Sequence, residues 1–152
     1  MANEVKTILG LDMGVFMNTG TPAAPVYTYI GCYDTASLDL SSAELEVTCG
    51  SSGGYKEFLT GLHEWSIPIS GTIRHADGTA APLNITAENL VDLELSRTLL
   101  MVQFQVGKGT GLPIYSGNAY LSKVQLSANV KDKGSFSATI RGTGVLSKTL
   151  QP

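Results

Sequence analysis

Strict alternation of apolar and polar residues constrains this chain more than any other feature. Leu100, Val102, Phe104 and Val106 alternate with Met101, Gln103 and Gln105. Residues 115–131 continue the pattern, with Val124, Leu126, Ala128 and Val130 set against Lys123, Gln125, Ser127 and Asn129. Phe136, Ala138 and Ile140 then oppose Ser135, Ser137, Thr139 and Arg141. A period of two puts neighbouring side chains on opposite faces of a strand. Earlier runs with the same period predict strands over 7–13, 26–32, 36–40, 43–48 and 65–70. Leu45 and Val47 are expected to face inward in the fourth of these runs, and Trp65, Ile67 and Ile69 in the fifth. Pro68 has no N–H for a ladder, so it predicts an edge or a bulge. Leu121 falls out of phase with the face that follows it, which predicts a bulge near Ser122 and Lys123.

Only one segment changes the period. Thr86 can cap a helix, and Glu88 in its first turn suits the dipole. Leu90, Val91 and Leu95 give an apolar stripe, so residues 87–96 predict a helix. Strands, one helix and more strands make a mainly β chain, a sandwich or barrel-like fold with one packed helix. Trp65, Leu90, Phe104 and Phe136 are read as core. At 152 residues the chain is read as a single domain, 1–152. Residues 1–5 and the small, polar 145–152 are read as flexible arms.

Composition narrows the function. Charged residues are 15%, against about a quarter in an average globular chain. The net charge is −3 and Lys and Arg are scattered singly, which argues against a phosphate-gripping surface. The polar faces of the strands are mostly Ser, Thr, Gln and Asn. Such a face can line a water-filled channel, or simply meet solvent. No run approaches the roughly 20 apolar residues of a membrane span, and residues 1–6 show no secretion-signal pattern.

Chemistry is hard to place. His63 and His75 lie in connections, and no Gly-x-Ser-x-Gly elbow is present. A disulfide between Cys32 and Cys49 is open from the sequence, and buried, reduced thiols are the preferred reading. With the two histidines they lack the close pairs of a zinc site. The run Gly107-Lys108-Gly109-Thr110-Gly111 lacks both the earlier glycine and the following helix of a phosphate loop, and is read as a hairpin loop. Asn84-Ile85-Thr86 is a chance sequon. No catalytic, cofactor or metal residues are assigned.

The segment between the strands at 43–48 and 65–70 is a long connection that is not simply polar. Gly53 and Gly54 permit a sharp turn. Tyr55, Phe58 and Leu59 are large apolar groups that either fold back on the domain or bury against another chain. Ser52-Gly53-Gly54-Tyr55, then Phe58-Leu59-Thr60-Gly61-Leu62, then Trp65-Ser66, resembles the signature of major tail tube proteins of long, non-contractile-tailed bacteriophages. Tyr55 stands where that family usually has Trp. The run 32–40 is similar to the family's preceding strand. The helix at 87–96 with the strand after it, Tyr115-Ser116-Gly117-Asn118-Ala119-Tyr120, and Phe136-Ser137-Ala138 with Gly142-Thr143-Gly144 extend the resemblance over residues 30–147.

The resemblance implies a structural virion protein of the tail, assembled in the bacterial host cytoplasm. Six subunits would close into a ring whose inner sheets join as one β-barrel, and rings would stack into a tube. The implied partners are other copies of the chain, tape-measure and tail-tip or terminator proteins, and DNA as non-specific cargo of the lumen, with no membrane insertion. Gly53, Gly54, Tyr55, Lys56, Glu57, Phe58 and Leu59 would then form a subunit or ring interface. Two alternatives remain open: the inner tube of a contractile tail or injection system, and an extracellular β-sandwich binding module.

Overall fold

The computed structural model describes residues 7–31, 33–73 and 85–152. Eight strands and one helix follow in order: β1 (Gly14–Asn18), β2 (Tyr27–Tyr29), β3 (Tyr33–Ala36), β4 (Asp39–Glu46), β5 (Phe58–Thr72), α1 (Ala87–Ser96), β6 (Leu100–Gln105), β7 (Pro113–Ser127) and β8 (Ser135–Leu150). The strands form one sheet in the order β2-β1-β6-β7-β8-β5-β3, with β4 also paired to β5. Every pair of named strands is antiparallel. The sheet curls around a single core that includes Val15, Met17, Trp65, Ile67, Val102, Phe104, Leu121, Phe136 and Ile140, with Ile85, Ala87 and Leu90 from the helix side. Burial of these side chains is the main force holding the curl.

Alternation positions the core-facing residues well. The inward residues of β6 are Leu100, Val102 and Phe104, and those of β8 are Phe136, Ala138 and Ile140, all buried. The pairing of β7 with β8 slips between Leu121 and Lys123, so the bulge lies where the phase change put it. Gly107 to Gly111 joins two antiparallel strands, β6 and β7, as a hairpin loop.

Trp65 shows how tightly this core is fitted. Its indole lies flat against the backbone of β7 and β8. A Cβ built on Gly117 would sit 2.7 Å from the Trp65 ring, and one on Gly142 would fall within it. The indole N–H donates to the Gly144 carbonyl at 3.3 Å. Two glycines thus make the space that one large aromatic fills.

The helix begins where its local chemistry dictates. The backbone N–H of Thr86 donates to Asn89 Oδ1 at 3.1 Å, and the Thr86 hydroxyl donates to the same oxygen at 2.9 Å. Arg97 takes a left-handed conformation, φ 52°, and closes the last turn. Asn89→Ala is expected to lower stability by about 1 kcal/mol, the usual worth of a helix cap. Urea unfolding followed by circular dichroism checks this, and Asn89→Asp should retain most of the stability.

Several sequence expectations require correction. Residues 10–12 form a 3-10 turn instead of continuing a strand over 7–13, because Asp12 and Met13 donate back to Leu9 and Gly10. The run 36–40 breaks at residues 37–38, between β3 and β4. Pro68 explains the break. It lies inside the sheet opposite this gap, where no ladder bond needs its missing N–H, and its carbonyl accepts from Ser37. In α1 the buried face runs through Leu90 and partly buried Leu93, and Leu95 is exposed. Leu126 is half-exposed and Val130 fully exposed, because β7 ends at Ser127 and residues 129–134 turn the chain. The tail read as an arm is the second half of β8, which pairs with the first half of β7 as far as Pro113 opposite Leu150. Cys32, His75, Asn84, the Asp77-Gly78 turn and residues 1–5 lie outside the described residues.

Candidate assembly interface

The β4–β5 hairpin projects from the core. Every residue of β4 is exposed, and so is most of β5 as far as Glu64. Leu45 and Val47, expected inward, are exposed as well, because this ribbon has no second layer to pack against. The register runs Leu40 opposite Trp65, Ser42 opposite His63, Leu45 opposite Leu59 and Glu46 opposite Phe58, with one irregularity between Ser42 and Glu44. Gly61 sits at that irregularity, where a Cβ would press on Ala43 at 3.1 Å. The tip turns through Gly50–Ser52, then Gly53 and Gly54 at φ 64° and 86°.

The structure therefore places the seven candidate interface residues in two settings. Gly53, Gly54, Tyr55, Lys56 and Glu57 form the tip, whereas Phe58 and Leu59 open β5 and are not in a loop. Tyr55 is 79% exposed, Leu62 is 87%, and Phe58 and Leu59 are each more than half exposed. None of them reaches the core of its own chain. A two-stranded ribbon wet on both faces is marginal in water. A cluster of exposed apolar side chains is covered in most proteins by a partner.

A second surface is the outward face of the sheet. The register puts Gln103, Ser116 and Ser147 in one row across β6, β7 and β8, and Met101, Asn118 and Thr143 in the next. Ser70 pairs with Ser137, and Pro68 with Thr139. On this face of β1, β6, β7, β8 and the core-backed half of β5, the charged residues are Glu64, Lys123 and Arg141. Arg141 stands opposite Tyr120 and Lys123 opposite Thr139, midway along the β7–β8 ladder. Arg141 Nη2 donates to Glu64 Oε2 at 2.9 Å. Ser41 Oγ donates to Glu64 Oε1 at 3.2 Å. Asp39 stands opposite Ser66, whose other neighbour is Arg141.

Reactive groups are few. Ser42 Oγ lies 2.7 Å from His63 Nδ1, but this pair is exposed on the hairpin, and Glu64, next in the strand, points to the other face. Among the described residues no group of three or more metal-ligating side chains occurs, and no helix is long and apolar enough to cross a membrane. Cys49 is exposed, not buried as expected, because it opens the hairpin tip. The hydroxyl of Ser51, 3.0 Å from Sγ, and then that of Ser52 stabilise its thiolate and lower its pKa from 9.0 to about 7. Cys49 alkylation by iodoacetamide, read by peptide mass spectrometry, should rise through a midpoint near pH 7. Ser51→Ala should move that midpoint upward. A groove of about 760 Å³ between α1 and the β1–β2 connection, lined by Met17, Thr28, Leu93, Leu99 and Leu100 among others, had no signal in the sequence. Its walls come from four separate segments.

Comparison with known proteins agrees with this geometry. A family model described as phage tail tube protein matches residues 9–148. No curated protein matches the chain. The tail of an empty gene transfer agent particle, refined with C6 symmetry, superposes with a TM-score of 0.76 at 17% identity, covering 94% of this chain and 99% of that one. The SPP1 tail tube gives a TM-score of 0.71 at 13% identity, over 95% of this chain and 80% of that one. A chain of the anti-feeding prophage baseplate gives 0.58 at 12% identity, over 98% and 97%.

Proposed function

The chain belongs to the phage tail tube protein family and is a structural protein of the tail, and from that premise we propose how its surfaces serve assembly. Six copies close into a ring, and rings stack into a tube through which DNA leaves the particle. The chain acts as one domain over its whole length, and its role is structural, not catalytic. Copies of itself are the main partner; tape-measure and tail-tip or terminator proteins meet the tube inside and at its ends. Assembly takes place in the host cytoplasm and the product resides in the virion tail.

The observation that carries this reading is the β4–β5 hairpin. Its apolar side chains stand on an exposed ribbon outside the buried core of their own chain. Seated on a neighbouring copy, Tyr55, Phe58 and Leu59 become buried anchors of the kind that dominate interfaces. Contact between one patch and a different patch on the next copy generates rings or filaments, not closed pairs. The outward face of β6–β8, uncharged apart from Lys123 and Arg141, then lines the channel. Ser, Thr, Gln and Asn keep that wall wet without holding phosphates, so DNA slides.

Electron microscopy of the purified protein at high concentration tests the reading. Hollow tubes with a regular axial repeat are expected. Only dispersed small particles, with and without tail tips as seeds, would contradict it.

A further inference from the structure

The charged residues midway along the outward face have a role that assembly alone does not require. Arg141 and Lys123 are the cations of that face, and both would point into the channel if the proposed reading of the face holds. A ring would repeat them around its circumference, and such a collar would grip phosphates and slow passing DNA. Glu64 is bonded to Arg141 at 2.9 Å, and Asp39 lines the same shallow cleft as both. We infer that Glu64 and Asp39 are internal counterions that flank Arg141 and offset Lys123 in the summed charge of the face, which keeps the channel from binding its cargo.

Both carboxylates lie beside Arg141: Glu64 is bonded to it, and Asp39 stands opposite Ser66, its neighbour on β5, while Lys123 stands opposite Thr139 further along the ladder. The Arg141–Glu64 pair is itself exposed, its side chains 65% and 62% accessible, so it adds little to folding. Neutralisation does not depend on that bond's strength. A polyanion in the channel meets the summed charge of the wall, so opposite charges on one face offset each other even when each pair is weak. The residues can therefore be changed without unfolding the subunit, and only the potential of the wall should respond.

The test uses assembled tubes of the full chain. Wild type, Asp39→Asn/Glu64→Gln, and the same pair combined with Lys123→Gln/Arg141→Gln are polymerised and pelleted with a short fluorescent DNA duplex. The double variant is expected to retain roughly ten times more DNA than wild type at 50 mM salt, with the excess lost by 200 mM. The quadruple variant should return to the wild-type level. Equal retention by wild type and double variant overturns the inference. Ser137→Cys tubes that also carry Cys49→Ser separate this from failure of the channel assignment: with labelling read at position 137 by peptide mass spectrometry, a small maleimide should react there and a bulky polymer-linked maleimide should not. Rapid labelling by the bulky reagent overturns the channel assignment and the inference together. Exclusion of that reagent with no gain in DNA overturns the inference alone.

Discussion

Phe58→Asp should leave a folded, soluble subunit that no longer forms tubes. Phe58 is half-exposed at the start of β5, opposite Glu46, and touches no part of the core. The substitution therefore removes nothing that folds the subunit, and the far-ultraviolet spectrum and melting temperature should stay close to wild type. In the proposed assembly the same position would be buried, and a carboxylate there would be desolvated beside Glu46. Loss of a buried aromatic anchor costs about 2 kcal/mol or more, which is roughly thirtyfold in an association constant. Each subunit makes the contact, so the critical concentration for polymerisation should rise by at least that factor. Sedimentation across a concentration series measures it. Normal tubes at the wild-type concentration would remove the hairpin from the interface.

Gly142→Val should destabilise the subunit itself. A Cβ at residue 142 falls inside the Trp65 indole, so the ring must leave its site or β8 must shift. Overpacking alone costs about 1–3 kcal/mol. Expulsion of the indole approaches the cost of truncating a buried Trp, about 3–5 kcal/mol. We expect about 3 kcal/mol by denaturant unfolding, with Trp65 fluorescence shifted to the red as the ring meets water. Trp65→Leu combined with Gly142→Ala should be less damaging than the two single changes added together, since the residues share one space. Additive losses would mean that the ring and glycine do not meet.

The two predictions test different surfaces, and the sequence reveals them unequally. The helix was legible to both its ends, because Thr86, Asn89 and Arg97 set its limits through contacts within a turn. The inward residues of β6 and β8 were legible because one side of each strand is dry. Where no side is dry, alternation misleads. Leu45 and Val47 alternate as core residues do, yet they sit on a ribbon with water on both faces. The end of β8 failed the opposite way. Residues 142–150 carry few apolar groups, but their backbone pairs with β7, and a ladder needs no apolar side chain.

Of the candidate site, the hairpin was visible as large apolar residues beside two glycines. Its extent was not, since Phe58 and Leu59 belong to a strand whose pairing only the fold determines. The weakly charged outward face was visible as Ser, Thr, Gln and Asn at alternate positions. The contact between Glu64 and Arg141, 77 residues apart, had no signal in the chain. Nor did the groove beside α1, which exists only once separate segments are brought together.

Helical reconstruction of assembled tubes by cryo-electron microscopy tests the central claim most directly. The account predicts six subunits per ring, Gln103, Ser116 and Thr139 on the channel wall, and Tyr55, Phe58 and Leu59 buried against a neighbouring copy. A tube whose channel is lined by other strands, or whose β4–β5 hairpins stand free in solvent, would contradict it.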